Sequence, residues 1–213
     1  MLIPLLKAQP EANVSFRLTS ITSCLALLAS CGAYYTPVSF VAQGDQIIAS
    51  GTIDETTLSA FEEVIAQNPE ARTLVLQYIE GSLDDDANVI FSREVHRAGF
   101  DTVVPSNGLV ASGGTDLFLA GNRRVLQPGA CVGVHSWAGS GLVATDLPED
   151  DPEHDRYLDY FKDIGVDEAF YWYTLYAAPA DSMHWMNTAE ANRFGLTTRG
   201  APALSSATEC DER

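Results

Sequence analysis

Residues 108–135 read GLVASGGTDLFLAGNRRVLQPGACVGVH, and the pattern predicts a strand, a helix and two further strands. A short apolar run precedes Ser112, two glycines follow it, and segment 115–120 is typical of a buried helix that ends at Gly121. Ser112 is therefore expected at a helix N-terminus, where free backbone N–H groups stabilise a nearby negative charge. This position suits the nucleophile of an acyl transfer, although capping the helix is the commoner role of such a serine.

The same stretch ends at a histidine. Gln127-Pro128-Gly129 indicates a turn, and the apolar residues 131–134 indicate a short strand that leads into His135. A chain that folds back over these elements can bring the imidazole beside the Ser112 hydroxyl, and that pairing activates a serine. The spacing permits the pair, but a histidine at a strand end is more often simply hydrogen-bonded.

The preceding sequence predicts parallel strands connected by helices. Residues 46–53 form a strand with a glycine break, an amphipathic helix follows, and the apolar run 73–79 suits a central strand covered on both faces. A second helix is expected at about residues 84–98 and another parallel strand at 101–105. The alternation predicts an α/β domain.

Three segments occur in an order that matches a known family. They are ASGGTDLFLAG (111–121), QPGACVGVH (127–135) and WMNTAEANRFGL (185–196). They resemble the nucleophile helix, the histidine strand and the C-terminal helix motif of the Clp protease/crotonase superfamily, in particular its Clp-like serine peptidases. The resemblance implies a ββα-repeat crossover α/β fold over residues 46–200, with an added helical segment.

The resemblance also implies an active site. Ser112 would be the nucleophile and His135 the base, and the backbone N–H groups of Gly81 and Gly113 would form the oxyanion hole. Glu80 departs from the family pattern, since two glycines usually stand at this turn.

The third member of a catalytic triad is expected near the last motif. The family pattern places an aspartate shortly before the residues that match Trp185 and Met186, and Asp181 is the nearest one here. Asp181 would orient His135 and stabilise its imidazolium form. Asp116, one helical turn after Ser112, is a rival for this role.

The N-terminal residues have the order of a secretory leader. Arg17 precedes the apolar run 18–28, and LASCG at 28–32 resembles a bacterial lipobox, in which Cys31 would be lipidated. We expect a lipoprotein signal peptide at 1–30, a tether at 31–45, and a protein anchored to a bacterial membrane in the periplasm. An ordinary signal peptide or an apolar N-terminal helix are the alternatives.

Two cysteines remain in the expected mature chain, Cys131 and Cys210. In an oxidising periplasm they could pair, but two free thiols are equally consistent with the sequence. Residues 201–213 are expected to form a loose, flexible tail.

Composition excludes several kinds of partner. A net charge of −17 argues against nucleic acid and against an anionic membrane surface, so the lipid would be the membrane contact. Four scattered histidines and no closely spaced cysteine pair argue against a metal site. We expect no cofactor, and coenzyme A is disfavoured because the expected compartment lacks it.

Two further helices are expected between His135 and the last motif. The second of them, about residues 167–178, is dense in aromatic side chains. They could cover the active site, form a contact in a homo-oligomer, or complete the core.

The sequence therefore favours a periplasmic serine hydrolase, in particular a Clp-like peptidase that acts on a peptide or small acyl substrate by a Ser-His-Asp mechanism. The alternative is a catalytically inactive lipoprotein of the same fold that serves as a binding or scaffolding module.

Overall fold

The computed structural model describes residues 35–213. The expected signal peptide at 1–30 and the lipidation residue Cys31 lie outside the described residues. The strands are β1 Ser39–Gln43, β2 Gln46–Ser50, β3 Thr73–Ile79, β4 Asp101–Val104, β5 Leu109–Ala111, β6 Arg124–Leu126, β7 Cys131–Val134, β8 Ala138–Gly139, β9 Leu142–Val143 and β10 His184–Trp185. The helices are α1 Thr57–Gln67, α2 Asp85–Arg97, α3 Gly113–Leu119, α4 Asp155–Asp163, α5 Glu168–Ala177, α6 Thr188–Arg193 and α7 Ala207–Asp211.

The main sheet divides at β3. Its path runs β1-β2-β3-β5-β7-β10, while β4 pairs with the first half of β3 and also with β6. The pairings β2–β3, β3–β4, β3–β5, β4–β6 and β5–β7 are parallel, so helices provide the crossovers between them. This arrangement confirms the prediction of an α/β crossover fold.

Strand β1 was not predicted. Residues 31–45 were expected to be a tether, but Ser39–Gln43 pairs antiparallel with β2 along its whole length. The turn between them uses Gly44 at a φ of +62°, which suits a short hairpin connection. The part of the tether that the structure describes therefore belongs to the domain.

The core lies between the sheet and the helices. Phe61 of α1 and Phe91 of α2 are fully buried and pack edge to face, with ring centroids 5.3 Å apart. On the other side of α2, Tyr160 and Phe161 of α4 and Phe170 of α5 are also buried. The two added helices therefore complete the core, which was one of the three roles open to them.

The C-terminal residues are held to the domain. Residues 201–213 were expected to be a loose tail, but they contain α7, and Cys210 of this helix forms a disulfide with Cys131 of β7. Arg213 adds hydrogen bonds to the carbonyls of Gly108 and Gly129, at 3.1 and 2.9 Å. A covalent link and these bonds fix a segment whose sequence alone indicates no apolar face.

Over residues 35–213, none of the helices combines the length and the apolar character needed to cross a membrane.

Candidate active site

Ser112 occupies a strained turn between β5 and α3. Its backbone has φ 52° and ψ −128°, a conformation that residues other than glycine rarely adopt. The turn is held because the Ser112 N–H donates to the carbonyl of Gly133 at 3.0 Å, and the Thr115 hydroxyl donates to the same carbonyl at 2.8 Å. Both bonds fix the start of α3 on β7.

The Ser112 side chain does not cap the helix. No side-chain capping bond is present at the N-terminus of α3, so the commoner structural role of a serine at this position is not realised. A half-buried hydroxyl on a strained strand-to-helix turn is instead the arrangement that presents a nucleophile.

His135 follows the last residue of β7 and is half-buried. Its Nδ1 atom lies 2.6 Å from the carbonyl oxygen of Ser136. A carbonyl only accepts hydrogen bonds, so this contact places the proton of the neutral ring on Nδ1. The lone pair is then on Nε2, which is the form that a general base requires.

Ser112 and His135 line the same cavity. The cavity is small, about 40 Å³, and opens to solvent. Gly113 and Thr115 of α3 and Val134 of β7 also line it. Its aromatic lining residues are Tyr157 and Phe161 of α4, Tyr171 of α5, and Trp137, which lies between β7 and β8. Helices α4 and α5 thus cover the site as well as completing the core.

Hydrogen bonds fix the aromatic wall. The Trp137 indole N–H donates to the Tyr171 hydroxyl at 2.9 Å, and that hydroxyl lies 2.6 Å from Nδ1 of the buried His154. Because the Trp137 N–H only donates, the Tyr171 hydroxyl accepts from it and is free to donate its own hydrogen bond to Nδ1 of His154. The ring of Tyr157 stacks between Trp137 and Tyr171.

Gly81 and Gly113 both lie beside Ser112. A Cβ at Gly81 would be 3.3 Å from the Ser112 Cβ, and a Cβ at Gly113 would be 2.5 Å from the Ser82 hydroxyl oxygen. Neither glycine N–H donates a hydrogen bond to any acceptor in residues 35–213. Two free amide donors next to a serine hydroxyl are what an oxyanion hole contains.

Glu80 does not disturb this pair of amides. Its carboxylate accepts a hydrogen bond of 2.8 Å from the Thr52 hydroxyl, and the residue is exposed outside the cavity. The departure from the two-glycine pattern therefore does not add the Glu80 carboxylate to the lining of the cavity.

The structure does not bring Asp181 to His135. Asp181 is exposed, does not line the cavity, and makes no hydrogen bond to His135. The pairing of β10 with β7 places His184 opposite Val134, so Asp181 falls in the turn beyond the end of the ladder. The prediction that Asp181 orients His135 is corrected: the Ser136 carbonyl holds the Nδ1 atom.

Two other aspartates do line the cavity. Asp85, in the first turn of α2, accepts hydrogen bonds from the Ser82 and Tyr157 hydroxyls at 2.9 and 2.5 Å. Asp116 lies on α3 and keeps a little exposure through the cavity, although protein atoms surround it. Burial, and to a lesser extent the charge of Asp85, raises the pKa of the Asp116 carboxyl to about 7.

Asp85 and Tyr157 were not predicted as site residues. The acidic run Asp84-Asp85-Asp86 at the start of α2 is typical of helix capping, and Asp84 does cap, by accepting from the Ala87 N–H at 2.9 Å. The next residue turns into the cavity because α4 packs against α2 and brings the Tyr157 hydroxyl to it. No short-range pattern in the sequence signals that contact.

Within the described part of the chain, no group of three or more His, Cys, Asp or Glu side chains is placed to hold a metal ion.

Comparison with solved structures gives distant matches. A mutant of the 1510-N membrane-bound stomatin-specific protease, in complex with a substrate peptide, is 17% identical, with 77% of this chain and 75% of that chain covered and a TM-score of 0.46. An enoyl-CoA hydratase/isomerase from Cupriavidus metallidurans is 16% identical, with 83% and 70% covered and a TM-score of 0.48. Methylmalonyl CoA decarboxylase is 12% identical, with 84% and 71% covered and a TM-score of 0.49.

No family model matches the sequence, and no curated protein matches it. The solved structures above are proteins to which this chain is similar, and the likeness concerns the mixed α/β fold alone.

Proposed function

We propose that the protein is a serine hydrolase that acts on a peptide or small acyl substrate. The observation that carries the proposal is the shared cavity of Ser112 and His135, with Ser112 on a strained turn between two free amide donors. Helix capping does not account for the strained backbone of Ser112, because its side chain does not cap α3.

The proposed mechanism uses four groups of this chain. The Ser112 hydroxyl oxygen attacks the substrate carbonyl, and its proton passes to Nε2 of His135. The tetrahedral oxyanion accepts hydrogen bonds from the Gly81 and Gly113 N–H groups. His135 then donates the proton to the leaving amine or alcohol, and water releases the acyl group from Ser112 by the same steps.

The group that orients His135 is a backbone carbonyl in this proposal. The Ser136 carbonyl fixes the tautomer, as an aspartate does in a triad, but it carries no full charge to stabilise the imidazolium form. We therefore expect a slower base than a complete triad provides. This feature favours the second candidate function, a binding or scaffolding module that keeps the fold with little catalytic activity.

We also propose that the protein is exported and lipid-anchored in the periplasm, as the leader sequence and Cys31 suggest. The Cys131–Cys210 disulfide supports this location, because such links persist in oxidising compartments.

Reaction with a fluorophosphonate tests the function without assuming a substrate. We expect the intact protein to form one covalent adduct that is absent in Ser112→Ala, and we expect p-nitrophenyl acetate hydrolysis to disappear in the same variant. A folded protein that forms no adduct and hydrolyses no ester would instead be the binding module.

A further inference from the structure

Asp116 lines the same cavity as Ser112, the candidate nucleophile. It lies one helical turn beyond Ser112 on α3, and both residues line the cavity. Four residues of α-helix rise about 6 Å, so a group held by Asp116 would lie a few bonds from a carbonyl attacked by Ser112.

The Asp116 carboxylate has no hydrogen-bond donor within residues 35–213, in contrast to its neighbour. Asp85 accepts from Ser82 and Tyr157, whereas the contact made to Asp116, from the Tyr160 hydroxyl at 2.7 Å, goes to its backbone carbonyl. A carboxylate inside a cavity is destabilised when nothing donates to it. A ligand that brings a donor would remove this penalty.

The charge of the cavity decides which ligand fits. Two carboxylates line it, and no Lys or Arg does. Arg156, whose guanidinium lies 5.8 Å from the centre of the Tyr157 ring, is engaged outside the cavity by Asp86 at 3.1 Å and Glu153 at 2.6 Å. An anionic group would be repelled here, while a cation would satisfy Asp116 and reduce its repulsion with Asp85. The small volume suits a primary ammonium on a short arm.

We propose that Asp116 determines specificity: it selects substrates whose acyl side carries a primary ammonium group next to the carbonyl that Ser112 attacks. This inference rests on the proposed hydrolase function. The ammonium could belong to a short side chain or to a free N-terminus, and the test separates the two sources.

The test compares two pairs of p-nitrophenyl esters. Nα-acetyllysine and N-acetylnorleucine esters differ by the side-chain ammonium, while norleucine esters with a free and an acetylated amine differ at the α-amine. At pH 8 we expect kcat/KM to be about 10- to 100-fold higher for the amine-bearing member of one pair, the range expected for a charge-assisted hydrogen bond. The preferred pair identifies the source.

The preference should depend on Asp116. In Asp116→Asn the ratio of the two kcat/KM values within the preferred pair is expected to fall to about 1. In Asp116→Glu this ratio should stay above about 3, because the negative charge is kept. Asp159→Asn, which removes an exposed carboxylate on α4, is the matched control and should leave the ratio unchanged.

Two results would overturn the inference. One is a wild-type ratio near 1 in both pairs, and the other is a ratio that Asp116→Asn does not change. If Ser112 still reacts with the fluorophosphonate, either result removes the specificity role and leaves the hydrolase proposal standing. If the wild-type protein reacts with neither ester nor fluorophosphonate, both proposals fail.

Discussion

Gly81 lies directly against Ser112: a Cβ built on Gly81 would be 3.3 Å from the Ser112 Cβ and 3.7 Å from its hydroxyl oxygen. The backbone of Gly81 has a φ of +151°, which a residue with a side chain rarely adopts. A turn after β3 and a turn after β5 therefore meet at one point, where a methyl group on Gly81 would press against Ser112.

Replacing Gly81 tests whether its amide takes part in the reaction. In Gly81→Ala the added methyl group pushes against Ser112 and turns the N–H away, so we expect fluorophosphonate labelling to slow by about 10- to 1,000-fold. Gly44→Ala is the matched control, since Gly44 also has a positive φ but lies far along the sheet with no atom in the way. Equal labelling rates for the two variants would contradict the oxyanion role.

Substitution of Glu80, the residue before Gly81, should hardly change the rate of fluorophosphonate labelling. Because the Glu80 carboxylate is bonded to Thr52 and exposed, we expect Glu80→Gln to label within about twofold of the wild-type rate. A change of tenfold or more in either direction would mean that the Glu80 charge acts on the oxyanion hole.

The disulfide is expected to contribute substantially to stability. Cys131 and Cys210 are 79 positions apart, so their link restricts a long loop of the unfolded chain. We expect the double variant Cys131→Ser/Cys210→Ser to lose about 2–4 kcal/mol of unfolding free energy, measured by urea denaturation. The reduced wild-type protein should match the variant, and a loss under about 0.5 kcal/mol would contradict this account.

Asp116 should make stability depend on pH. Its pKa rises from 3.8 in the unfolded chain to about 7 in the folded one, so the folded protein holds an extra proton between these values. The resulting penalty is absent below about pH 4, grows with pH, and is complete above about pH 7.

Thermal unfolding of the wild type and of Asp116→Asn, each at pH 4 and at pH 8, measures this dependence. We compare the free energy of unfolding of Asp116→Asn with that of the wild type at each pH. The variant's advantage should be about 1–3 kcal/mol larger at pH 8 than at pH 4, or roughly 3–10 °C in Tm. Asp159→Asn, which alters an exposed carboxylate on α4, is the control. A Tm difference between Asp116→Asn and wild type that stays constant with pH would show that Asp116 is ionised at little cost.

The sequence predicted the features that depend on short segments. The turn at Ser112 follows from an apolar run and two glycines, and Gly114 is required because a Cβ there would be 2.3 Å from the Ile79 carbonyl oxygen. The strand that carries His135 follows from a turn and an apolar run. Since parallel strands align their ends, such local patterns were enough to bring Ser112 and His135 to one cavity.

The features that the sequence did not predict depend on contacts between distant elements. The position of Asp181 before the last motif predicts a role beside His135, but the end of the β7–β10 ladder places its turn elsewhere. Asp85 entered the site because α4 packs on α2, and the Cys131–Cys210 pair needs two segments whose Cα atoms come within 5.7 Å. The number of residues that separates two positions in the sequence does not reveal these contacts.

The central claim is that Ser112 is a nucleophile activated by His135 beside the Gly81 and Gly113 amides. Mass spectrometry of the fluorophosphonate-treated protein, digested and mapped, tests it most directly. The account predicts an adduct on Ser112 whose rate of formation falls at least about 100-fold in His135→Ala and changes less than about twofold in Asp181→Asn. An adduct on another residue, or a Ser112 adduct that forms equally fast without His135, would contradict it.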